Sequence, residues 1–535
     1  MRIVRDLWLS FVIVLLLGIV LSLSLPYLAI DETRYLTAAW EMKESGSFMV
    51  PLLNGLPYPH KPPLLFWLIN LDWLIFGVNE KTLRFIPLLF SLLNLVMVYI
   101  IALRLWQDKK TAVYAALILS STLIYLLWSG LIVFDIIFTF WVLLGIIGLL
   151  SARTNKRIAW WLLVGIAIGG GLLTKGPVIF AHLLPVGMLY FLWRPDDGPN
   201  MKKWYAGIVL AVFTGAFMAL LWALPAAAMG GEAYKKAILW GQTANRIVSS
   251  FAHQRPVWWY AFVFPLLFFP WILIKPTWVG YSVARTDAAV RFLLAWILSS
   301  LLLFSLVSGK QIYYLIPLLP ALSLLVAKNA VMHCTATQGK IRWHYPVALC
   351  YIVLALIMLL ALVIRPSDEL GGFSVRAISV SAICLIVLGG GMLRIKPACG
   401  DVAIKTIATS SILAVMMLML PARGTLFSRY DIRNMARVLK EKQNAGYAII
   451  HYDKYHGQYQ FLGRLTRPLI ILEDKKSIGD YAGTHNKVLL ITYEKKKKTP
   501  DENDVVYQQW YRGKKVVLWN EGGIRHFVRA PDPAG

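Results

Sequence analysis

The sequence predicts a polytopic α-helical membrane protein that ends in a soluble α/β domain, and three observations support this fold class. Of the 535 residues, 58% are hydrophobic and only 15% are charged, and the mean hydropathy is +0.61. The apolar residues are gathered in about thirteen segments that are long enough to cross a bilayer. After about residue 421 the composition changes to short β-rich runs separated by polar stretches. This pattern excludes a soluble protein.

The predicted spans define a transmembrane domain over residues 1–421, with a first loop over 30–82, and a soluble domain over 422–535. The first span is too long for the apolar region of a signal peptide, so we expect it to be retained. Segment 63–77 is either a further span or a helix that lies in the membrane interface. The spans are predicted near residues 7–29, 83–105, 112–128, 131–150, 159–173, 177–193, 204–228, 258–276, 289–307, 311–328, 344–364, 374–394 and 402–420.

Basic residues orient these spans. Arg2 and Arg5 precede the first span, and every alternate loop after it is rich in lysine and arginine. Because basic loops stay on the cytoplasmic side, the N-terminus is predicted inside, and the first loop and the C-terminal domain outside. Much of the formal charge of +26 consists of these orientation signals beside anionic lipids, so we expect membrane lipids and no nucleic acid as partners.

The C-terminal segment has the helix–strand alternation of a small α/β domain. Asp431 is predicted to cap a helix that runs to about Lys442, with Ile432, Met435 and Leu439 on its apolar face. Runs of β-branched and aromatic residues follow it. These predicted strands are Tyr447–Tyr452, Leu469–Leu472, Val488–Tyr493, Val505–Trp510, Val516–Trp519 and Ile524–Val528.

Charged residues that are unusual beside membrane spans fall in loops or span ends predicted to face outside. Ionisable groups at such positions are costly to keep unless they have a partner or a function. The first loop holds Asp31, Glu32, Arg34, His60 and Lys61. Farther along the chain, the same predicted face holds Asp135, Lys175, His253, Arg255, Lys310 and Tyr314. We therefore expect this face to carry the chemistry.

This mixture of acids and cations suits the transfer of a group from a lipid phosphate. Arginine binds phosphate with a bidentate fork and lysine as a point charge, and both neutralise a departing phosphate. A carboxylate deprotonates an acceptor hydroxyl or orients a sugar. The structural alternative for Asp31 and Glu32 is that they cap a helix N-terminus.

Structural alternatives also exist for the charged residues of the later spans. An acid inside an apolar run usually has a partner, so Asp135 alternatively forms an ion pair with Arg34 or Lys61. Lys175 alternatively serves only to cap a helix end.

Several motifs occur in order along most of the chain. They are Asp31-Glu32-x-Arg34-Tyr35, Asn54-Gly55-x-x-Tyr58-x-x-Lys61-Pro62-Pro63-Leu64, Leu173-Thr174-Lys175-Gly176-Pro177, His253-x-x-Pro256-x-Trp258-Trp259-Tyr260, Pro270-Trp271 and Ser305-x-x-x-Gly309-Lys310-x-x-x-Tyr314-x-x-Pro317-x-x-Pro320. With them the chain resembles the GT-C glycosyltransferases that use polyprenyl-phosphate sugars. Within that family it is most similar to the bacterial 4-amino-4-deoxy-L-arabinose lipid A transferases and their protein-mannosyltransferase-like relatives.

The resemblance implies a GT-C membrane domain of about thirteen transmembrane helices and a multi-pass enzyme of the bacterial inner membrane. Its active site and C-terminal domain would face the periplasm. The implied donor is an undecaprenyl-phosphate-linked sugar, and the implied acceptor is lipid A, another envelope glycan or a protein.

The resemblance also implies roles for single residues. Asp31 would be the carboxylate nearest the reacting centre, with Glu32 and Asp135 as further acids of the catalytic site. The residues implied in binding the donor phosphate are Arg34, Lys61 and Tyr314, followed by Arg255, Lys310 and Lys175.

A metal is a further implication of the resemblance. His253 matches a histidine that, in the aminoarabinose enzymes, binds zinc together with a glutamate just before the loop lysine. In this chain that second position is His60. Because histidine also ligates zinc, a divalent metal at His60 and His253 stays an expectation.

Two other functions stay open at this stage. One is a protein O-mannosyltransferase-like enzyme, which differs in sugar and acceptor. The other belongs to a different class, a flippase or transporter for lipid-linked saccharides. A transporter is expected to place its functional charges near the bilayer midplane, because its site opens to both sides. Here they collect at one predicted face, which favours the transferase.

Overall fold

The computed structural model describes residues 2–155, 157–241, 254–279, 286–336, 341–364, 375–396, 400–423, 427–494 and 501–529. The chain divides into two compact units. Unit 1 comprises Met1–Leu23, Pro59–Leu68 and Asp72–Pro421, and unit 2 comprises Ser24–Tyr58, Ile69–Leu71 and Ala422–Gly535. Unit 2 therefore includes the predicted soluble domain, 422–535. It differs from that prediction because it also contains a large part of the first loop.

Unit 1 is built from apolar helices, and the protein is a multi-pass membrane protein. In the described part of the chain, ten helices are long and apolar enough to cross a membrane, and each overlaps one predicted span. They are Ile3–Ser24, Phe85–Trp106, Phe134–Thr154, Ile158–Lys175, Met201–Met229, Ala288–Leu306, Ile312–Ala336, His344–Ile364, Val375–Arg394 and Gly400–Met419.

The other three predicted spans are built from shorter pieces. In the first, Thr122 is extended (φ −70°, ψ 126°) and separates two helices. In the second and third, Pro185 and Pro265 each remove one backbone donor from a helix, which then ends within a few residues. The pieces are Lys109–Ser121 with Leu123–Trp128, Val178–Met188 with Tyr190–Trp193, and Trp259–Leu267 with the 3-10 turns Trp271–Leu273 and Lys275–Thr277.

Segment 63–77 forms the helix Leu64–Phe76, which has 13 residues. At 1.5 Å per residue such a helix is about 20 Å long, which is shorter than the ~30 Å hydrocarbon core of a bilayer. Its length thus favours the interfacial alternative over a full span. Beyond the span Met201–Met229 the chain continues as the short helix Gly231–Lys236 and a π-helical turn, Ala237–Gly241.

Close packing of two neighbouring spans, Ile158–Lys175 and Met201–Met229, depends on glycine. Gly165 and Gly169 lie about one turn apart on the first of these helices. A Cβ atom at Gly165 would lie 2.4 Å from Cβ of Thr214, so only glycine allows this approach. Small residues spaced four apart are a common means of bringing membrane helices together, because lipid provides little hydrophobic force between helices.

Unit 2 begins with a helix, Asp31–Ser45, in a segment predicted as loop. Asp31 and Glu32 occupy its first turn and Lys43 its last, as the helix dipole favours. Gly46 ends the helix with a positive φ of 68°, which is typical of a C-terminal cap. The signals for this helix were thus present in the sequence. The two acids thus lie at a helix N-terminus, as the structural alternative expects, but the N-cap position itself is Ile30.

Two short strands follow this helix. Strand β1 (Leu52–Leu53) pairs antiparallel with β2 (Leu56–Pro57). The turn between them is Asn54-Gly55, with φ of 56° and 77°. Positive φ at both central residues is the geometry that favours Asn-Gly in tight hairpins.

The C-terminal part of unit 2 contains a five-stranded mixed sheet, which confirms the α/β domain. Five of the six predicted strands form, and their order in the sheet is β4-β3-β5-β7-β6. Strand β3 pairs parallel with β4 and β5, whereas β7 pairs antiparallel with β5 and β6. The strands are β3 (Ala448–Tyr452), β4 (Ile470–Leu472), β5 (Val488–Glu494), β6 (Val505–Tyr511) and β7 (Lys514–Trp519).

Helices cover both faces of this sheet. Alternate strand residues enter two separate cores, for example Ile449 and Ile450 on opposite faces. The helix Arg433–Asn444 packs on the first core, and the helices Lys475–Thr484 and Glu521–Arg529 pack on the second. A four-residue helix, Gln460–Gly463, lies between β3 and β4.

Two predictions for this domain need correction. The predicted strand Ile524–Val528 is part of the helix Glu521–Arg529, because Ile524, Phe527 and Val528 have helical spacing and face one core. Asp431 is not the N-cap of its helix, since that position is Ile432. Asp431 instead accepts a hydrogen bond from the Arg433 amide (3.0 Å) and pairs with the Arg433 guanidinium.

Candidate active site

Asp31, the first residue of the helix Asp31–Ser45, is an exposed acid of unit 2. Its side chain is 53% exposed. The Arg34 guanidinium donates a hydrogen bond to Asp31 Oδ1 at 2.5 Å, and the Tyr35 hydroxyl donates to the same atom at 3.4 Å. The buried Nε of Arg34 has no hydrogen-bond partner among the described residues. Asp31 thus presents an accessible carboxylate that an arginine one turn away holds in place.

Glu32, also predicted as an acid of the catalytic site, has different surroundings. It is 1% exposed, and its Oε2 accepts a hydrogen bond from the Leu28 amide at 2.8 Å. This contact satisfies a backbone donor just before the helix starts. The geometry therefore favours Asp31 over Glu32 as the residue that reaches a substrate.

In unit 1, Asp135 and Lys175 form an ion pair, and both side chains are only 7% exposed. Asp135 lies in the first turn of the span Phe134–Thr154, and Lys175 ends the span Ile158–Lys175. Each charge is favourable at its own helix end because of the helix dipole. The alternative that Asp135 pairs with Arg34 or Lys61 is wrong, since its partner is Lys175. Lys175 does lie at a helix end, but the alternative that it serves only there is wrong, since it also pairs with Asp135.

Aromatic rings surround the ammonium group of Lys175. Its Nζ lies 5.1 Å from the ring centroids of both Tyr313 and Tyr314, and 5.6 Å from that of Phe138. Contacts of this kind stabilise a desolvated cation. Tyr314 and Lys175, which are both predicted to bind the donor phosphate, are therefore neighbours in the structure.

Lys61 lies near the start of the same span as Asp135. Its Nζ is 5.3 Å from the ring centroid of Phe134, the residue before Asp135. The side chain is partly exposed. Unit 1 thus gathers two predicted phosphate-binding lysines, Lys61 and Lys175, about one helix N-terminus, a place where anions are favoured.

Lys310 contacts Arg255 through the main-chain carbonyl of Arg255 and not through its guanidinium. Lys310 is 2% exposed, and its ammonium donates to the carbonyl of Arg255 (3.0 Å) and to that of Val307 (2.6 Å). Burial lowers the pKa of Lys310. The Arg255 amide bonds to the Ser308 carbonyl at 3.2 Å, and its guanidinium lies 5.9 Å from the Trp259 ring centroid. Lys310 thus holds two chain segments together, whereas the exposed side chain of Arg255 stays accessible.

The structure describes only one of the two expected metal ligands. His60 is exposed, and His253 lies outside the described residues. In the described part of the chain, no group of three or more His, Cys, Asp or Glu side chains is arranged to hold a metal ion. Zinc binding stays a prediction from the resemblance, and no step below depends on it.

His182 is a buried residue beside this cluster. It is 0% exposed, and neither ring nitrogen has a hydrogen-bond partner among the described residues. Its ring packs between those of Phe138 and Phe304, with centroids 5.7 Å and 5.0 Å away. An unpaired polar group in such a place costs free energy of folding, and the sequence contained no signal for it.

Replacing His182 by phenylalanine is expected to raise the unfolding temperature, or leave it unchanged, because the substitution removes two unpaired nitrogens and retains a ring of similar shape. Thermal unfolding of detergent-purified protein measures the effect. His182→Ala is the matched comparison, since it removes the same nitrogens but leaves a cavity that costs about 2–5 kcal/mol. An unfolding temperature of His182→Phe as low as that of His182→Ala would show that the imidazole has a polar partner in solution.

Comparison with known proteins shows what the chain is similar to. The family described as dolichyl-phosphate-mannose-protein mannosyltransferase (PMT) matches residues 3–195. An undecaprenyl phosphate-alpha-4-amino-4-deoxy-L-arabinose arabinosyl transferase of Pseudomonas fluorescens is 33% identical over 328 residues, which are 58% of this chain and 57% of that protein. The one from Pseudomonas aeruginosa is 33% identical over 312 residues, 56% of this chain and 55% of that protein. The chain is thus similar to aminoarabinose transferases over just over half its length and to the PMT family over its first 195 residues.

The chain spans just over half the length of the curated relatives it matches. The GT-C fold itself extends over nearly the whole chain. ArnT from Cupriavidus metallidurans, whose crystal structure contains undecaprenyl phosphate, superposes with a TM-score of 0.76 at 16% identity, covering 99% of this chain and 100% of that one. The apo crystal structure of the same protein superposes with a TM-score of 0.74, covering 98% of each chain. At this identity the likeness concerns the fold, which confirms the predicted architecture.

The PMT-matched segment contains the acids and cations that the geometry favours. Asp31, Arg34, Lys61, Asp135 and Lys175 all lie within residues 3–195. Arg255, Lys310 and Tyr314 lie beyond it, so their assignment depends on the motifs and contacts described above.

Proposed function

We propose that this GT-C protein is a membrane glycosyltransferase that moves a sugar from an undecaprenyl-phosphate-linked donor to lipid A or another envelope acceptor. The observation that carries the proposal is that the PMT-matched segment contains an accessible carboxylate, Asp31, together with cations suited to a phosphate. The curated relatives at 33% identity are arabinosyl transferases whose names specify an undecaprenyl phosphate donor.

In the proposed reaction an acceptor oxygen attacks the anomeric carbon of the donor sugar. The bond from that carbon to the phosphate oxygen breaks, and its electron pair leaves with undecaprenyl phosphate. Asp31 takes the proton of an acceptor hydroxyl. The family resemblance, and not the relative placement of the two units, is the reason for assigning to Arg34 and Lys61 the neutralisation of the charge that develops on the leaving phosphate. Attack from the face opposite to the leaving group inverts the configuration of the anomeric carbon.

We place this reaction on the periplasmic face of the bacterial inner membrane. The support is the distribution of basic residues over the loops, which assigns the N-terminus to the cytoplasm and the first loop to the other side. A donor with a long prenyl tail suits an active site at the membrane surface, because the tail stays in the lipid while the sugar phosphate lies in water.

A protein O-mannosyltransferase-like activity is the second candidate. It is favoured by the family match over residues 3–195, whose description names a protein acceptor and a mannose donor. The two candidates share the leaving group and differ in sugar and acceptor. Their products therefore differ in mass, which makes product analysis decisive between them.

The test uses purified protein in proteoliposomes with a radiolabelled undecaprenyl-phosphate sugar. We expect mass spectrometry to find the sugar covalently joined to lipid A when lipid A is supplied. Labelled sugar on protein alone would favour the second candidate. Movement of intact donor between leaflets without any covalent product would contradict the transferase and identify a transporter.

Lys61→Ala is expected to lower kcat in this assay by about 10²–10³-fold, because it removes a charge that stabilises the leaving phosphate. Lys81→Ala is the matched control, since Lys81 is an exposed lysine of the same predicted loop. Its activity should equal that of the wild type. Equal activity of the two variants would show that Lys61 does not contact the phosphate.

A further inference from the structure

The helix that begins at Asp31 is fastened to the C-terminal α/β part of unit 2 by contacts that span more than 400 residues of sequence. The Thr37 hydroxyl donates to the Gly457 carbonyl at 2.5 Å. One turn farther along the helix, the Trp40 indole donates to the Leu465 carbonyl at 3.0 Å. Both donors are buried. These two hydrogen bonds attach the helix to main-chain carbonyls of the C-terminal α/β part.

Asn54, at the tip of the β1–β2 hairpin, makes the most extensive of these contacts. Its Oδ1 accepts from Gln460 Nε2 at 2.7 Å and from the Leu469 amide at 2.8 Å. Its Nδ2 donates to the Leu469 carbonyl at 2.9 Å. The side-chain amide thus pairs with both main-chain groups of one residue, as a neighbouring strand would. Asn54 also has a φ of 56°, which asparagine tolerates better than most residues.

The hairpin tip is joined to the helix by Glu41. One carboxylate oxygen accepts from the Asn54 amide and the other from the Gly55 amide, both at 2.8 Å. Burial raises the pKa of Glu41, while the two amides act in the opposite direction. The path from the helix to the C-terminal part therefore runs through Glu41, the hairpin tip and Gln460 without a gap.

The loop that receives the helix is itself held by the sheet. The Tyr493 hydroxyl, on β5, accepts a hydrogen bond from Gln458 Nε2 at 2.7 Å and lies 2.7 Å from the Tyr459 hydroxyl. It is also 3.2 Å from His451 Nε2, on β3. Burial lowers the pKa of His451 to about 4, so the imidazole is neutral over the physiological range and the network does not change charge there. A rigid sheet thus supports the receiving loop.

We infer that Asn54 and Gln460 are positioning residues, which fix the helix Asp31–Ser45 so that Asp31 and Arg34 are held in the geometry needed for transfer. The inference rests on the proposed function for its catalytic part. Its structural part, that the C-terminal domain holds this helix in place, does not depend on that function. Small displacements of a reacting group are costly: a shift of about 1 Å lowers a rate by up to about 10²-fold.

The test uses Asn54→Gly and Gln460→Met in the full-length protein. Glycine keeps the positive φ of position 54 accessible while removing the amide, and methionine keeps the volume of Gln460. Asn520→Gly is the matched control, because the Asn520 amide donates to the Asn503 carbonyl (2.7 Å) and accepts from the Gly523 amide (3.1 Å), both within the C-terminal part.

We expect hydrogen exchange of the backbone amides in residues 31–45 to become at least about fivefold faster in Asn54→Gly and Gln460→Met, since the net loss of one hydrogen bond corresponds to about a fivefold change. Asn54→Gly loses three side-chain hydrogen bonds, and Gln460→Met loses the bond to Asn54 Oδ1. In Asn520→Gly the exchange of this helix should be unchanged. We further expect kcat to fall about 10-fold to 10²-fold in the first two variants, with KM for the donor unchanged.

The two readouts separate the possible failures. Unchanged exchange in residues 31–45 would overturn the inference whatever the enzyme does. Faster exchange with an unchanged kcat would overturn the positioning role and leave only a structural one. A wild-type protein without transfer activity would contradict the proposed function, while the exchange measurement still decides whether the C-terminal domain holds this helix.

Discussion

Asp31→Asn is expected to lower kcat for sugar transfer to a hydroxyl acceptor by about 10²–10⁴-fold, the range that a general base contributes. Asparagine has nearly the same shape as aspartate and still accepts a hydrogen bond from Arg34. It does not take up a proton at the acceptor oxygen. The measurement is single-turnover transfer from labelled donor by detergent-purified protein, with the amount of folded enzyme determined by size-exclusion chromatography.

Glu44→Gln provides the control for this experiment. Glu44 is an exposed carboxylate of the same helix, so its substitution makes the same change of charge at the other end. We expect wild-type activity from it. Wild-type activity in Asp31→Asn as well would remove Asp31 from the catalytic residues. A loss below about tenfold would indicate that Asp31 orients the substrate rather than accepting a proton, as expected for an acceptor whose attacking oxygen is already deprotonated.

The second large effect concerns the buried pair of Asp135 and Lys175. Asp135→Asn is expected to destabilise the protein by about 3–5 kcal/mol, because it leaves the Lys175 ammonium buried without its counter-charge. The double variant Asp135→Asn/Lys175→Met is expected to regain most of that stability, since it contains no unpaired buried charge. Chemical or thermal unfolding in detergent, read by tryptophan fluorescence, measures both variants.

Transfer activity of the double variant tells whether the pair also serves the reaction. If Lys175 contacts the donor phosphate, the double variant should be stable and still transfer at least about 10²-fold more slowly than the wild type. A stable and fully active double variant would show that the pair is purely structural. Equal stability of Asp135→Asn and the wild type would instead show that Lys175 has another counter-charge in solution.

Much of the fold was readable from the sequence because each signal is local. Ten predicted spans form long apolar helices in the described part of the chain, since a long apolar run satisfies its own backbone groups in lipid only as a helix. One of them, Ile312–Ala336, begins with the 3-10 helix Ile312–Leu318. Five predicted strands form as well. The interruptions within three of the predicted spans could not be predicted by the same rules. Apolarity over a window is insensitive to a single extended residue such as Thr122 or to a proline such as Pro265.

The candidate site was readable in part. Asp31, Arg34, Lys61, Asp135 and Lys175 were recognised as charges that a membrane protein does not keep without reason. The pairing of these charges could not be predicted, because Asp135 and Lys175 are 40 residues apart and each had several possible partners. For Lys310 the motif predicts a phosphate ligand, and this stays a prediction. Only the structure reveals that its ammonium donates hydrogen bonds to two backbone carbonyls.

The sequence by itself determined the class of protein, the approximate spans, the α/β character of the C-terminal domain and the set of charged residues from which a site can be built. These follow from hydrophobicity, periodicity and residue chemistry, which act over a few turns or strands. Only the tertiary structure decided that the helix Asp31–Ser45 belongs to the same unit as the C-terminal sheet, and that Asn54 and Gln460 join them. The physical reason is that a hydrogen bond between residues about 400 positions apart in the sequence forms only where the folded chain brings the two residues together. No local sequence pattern specifies which two residues these are.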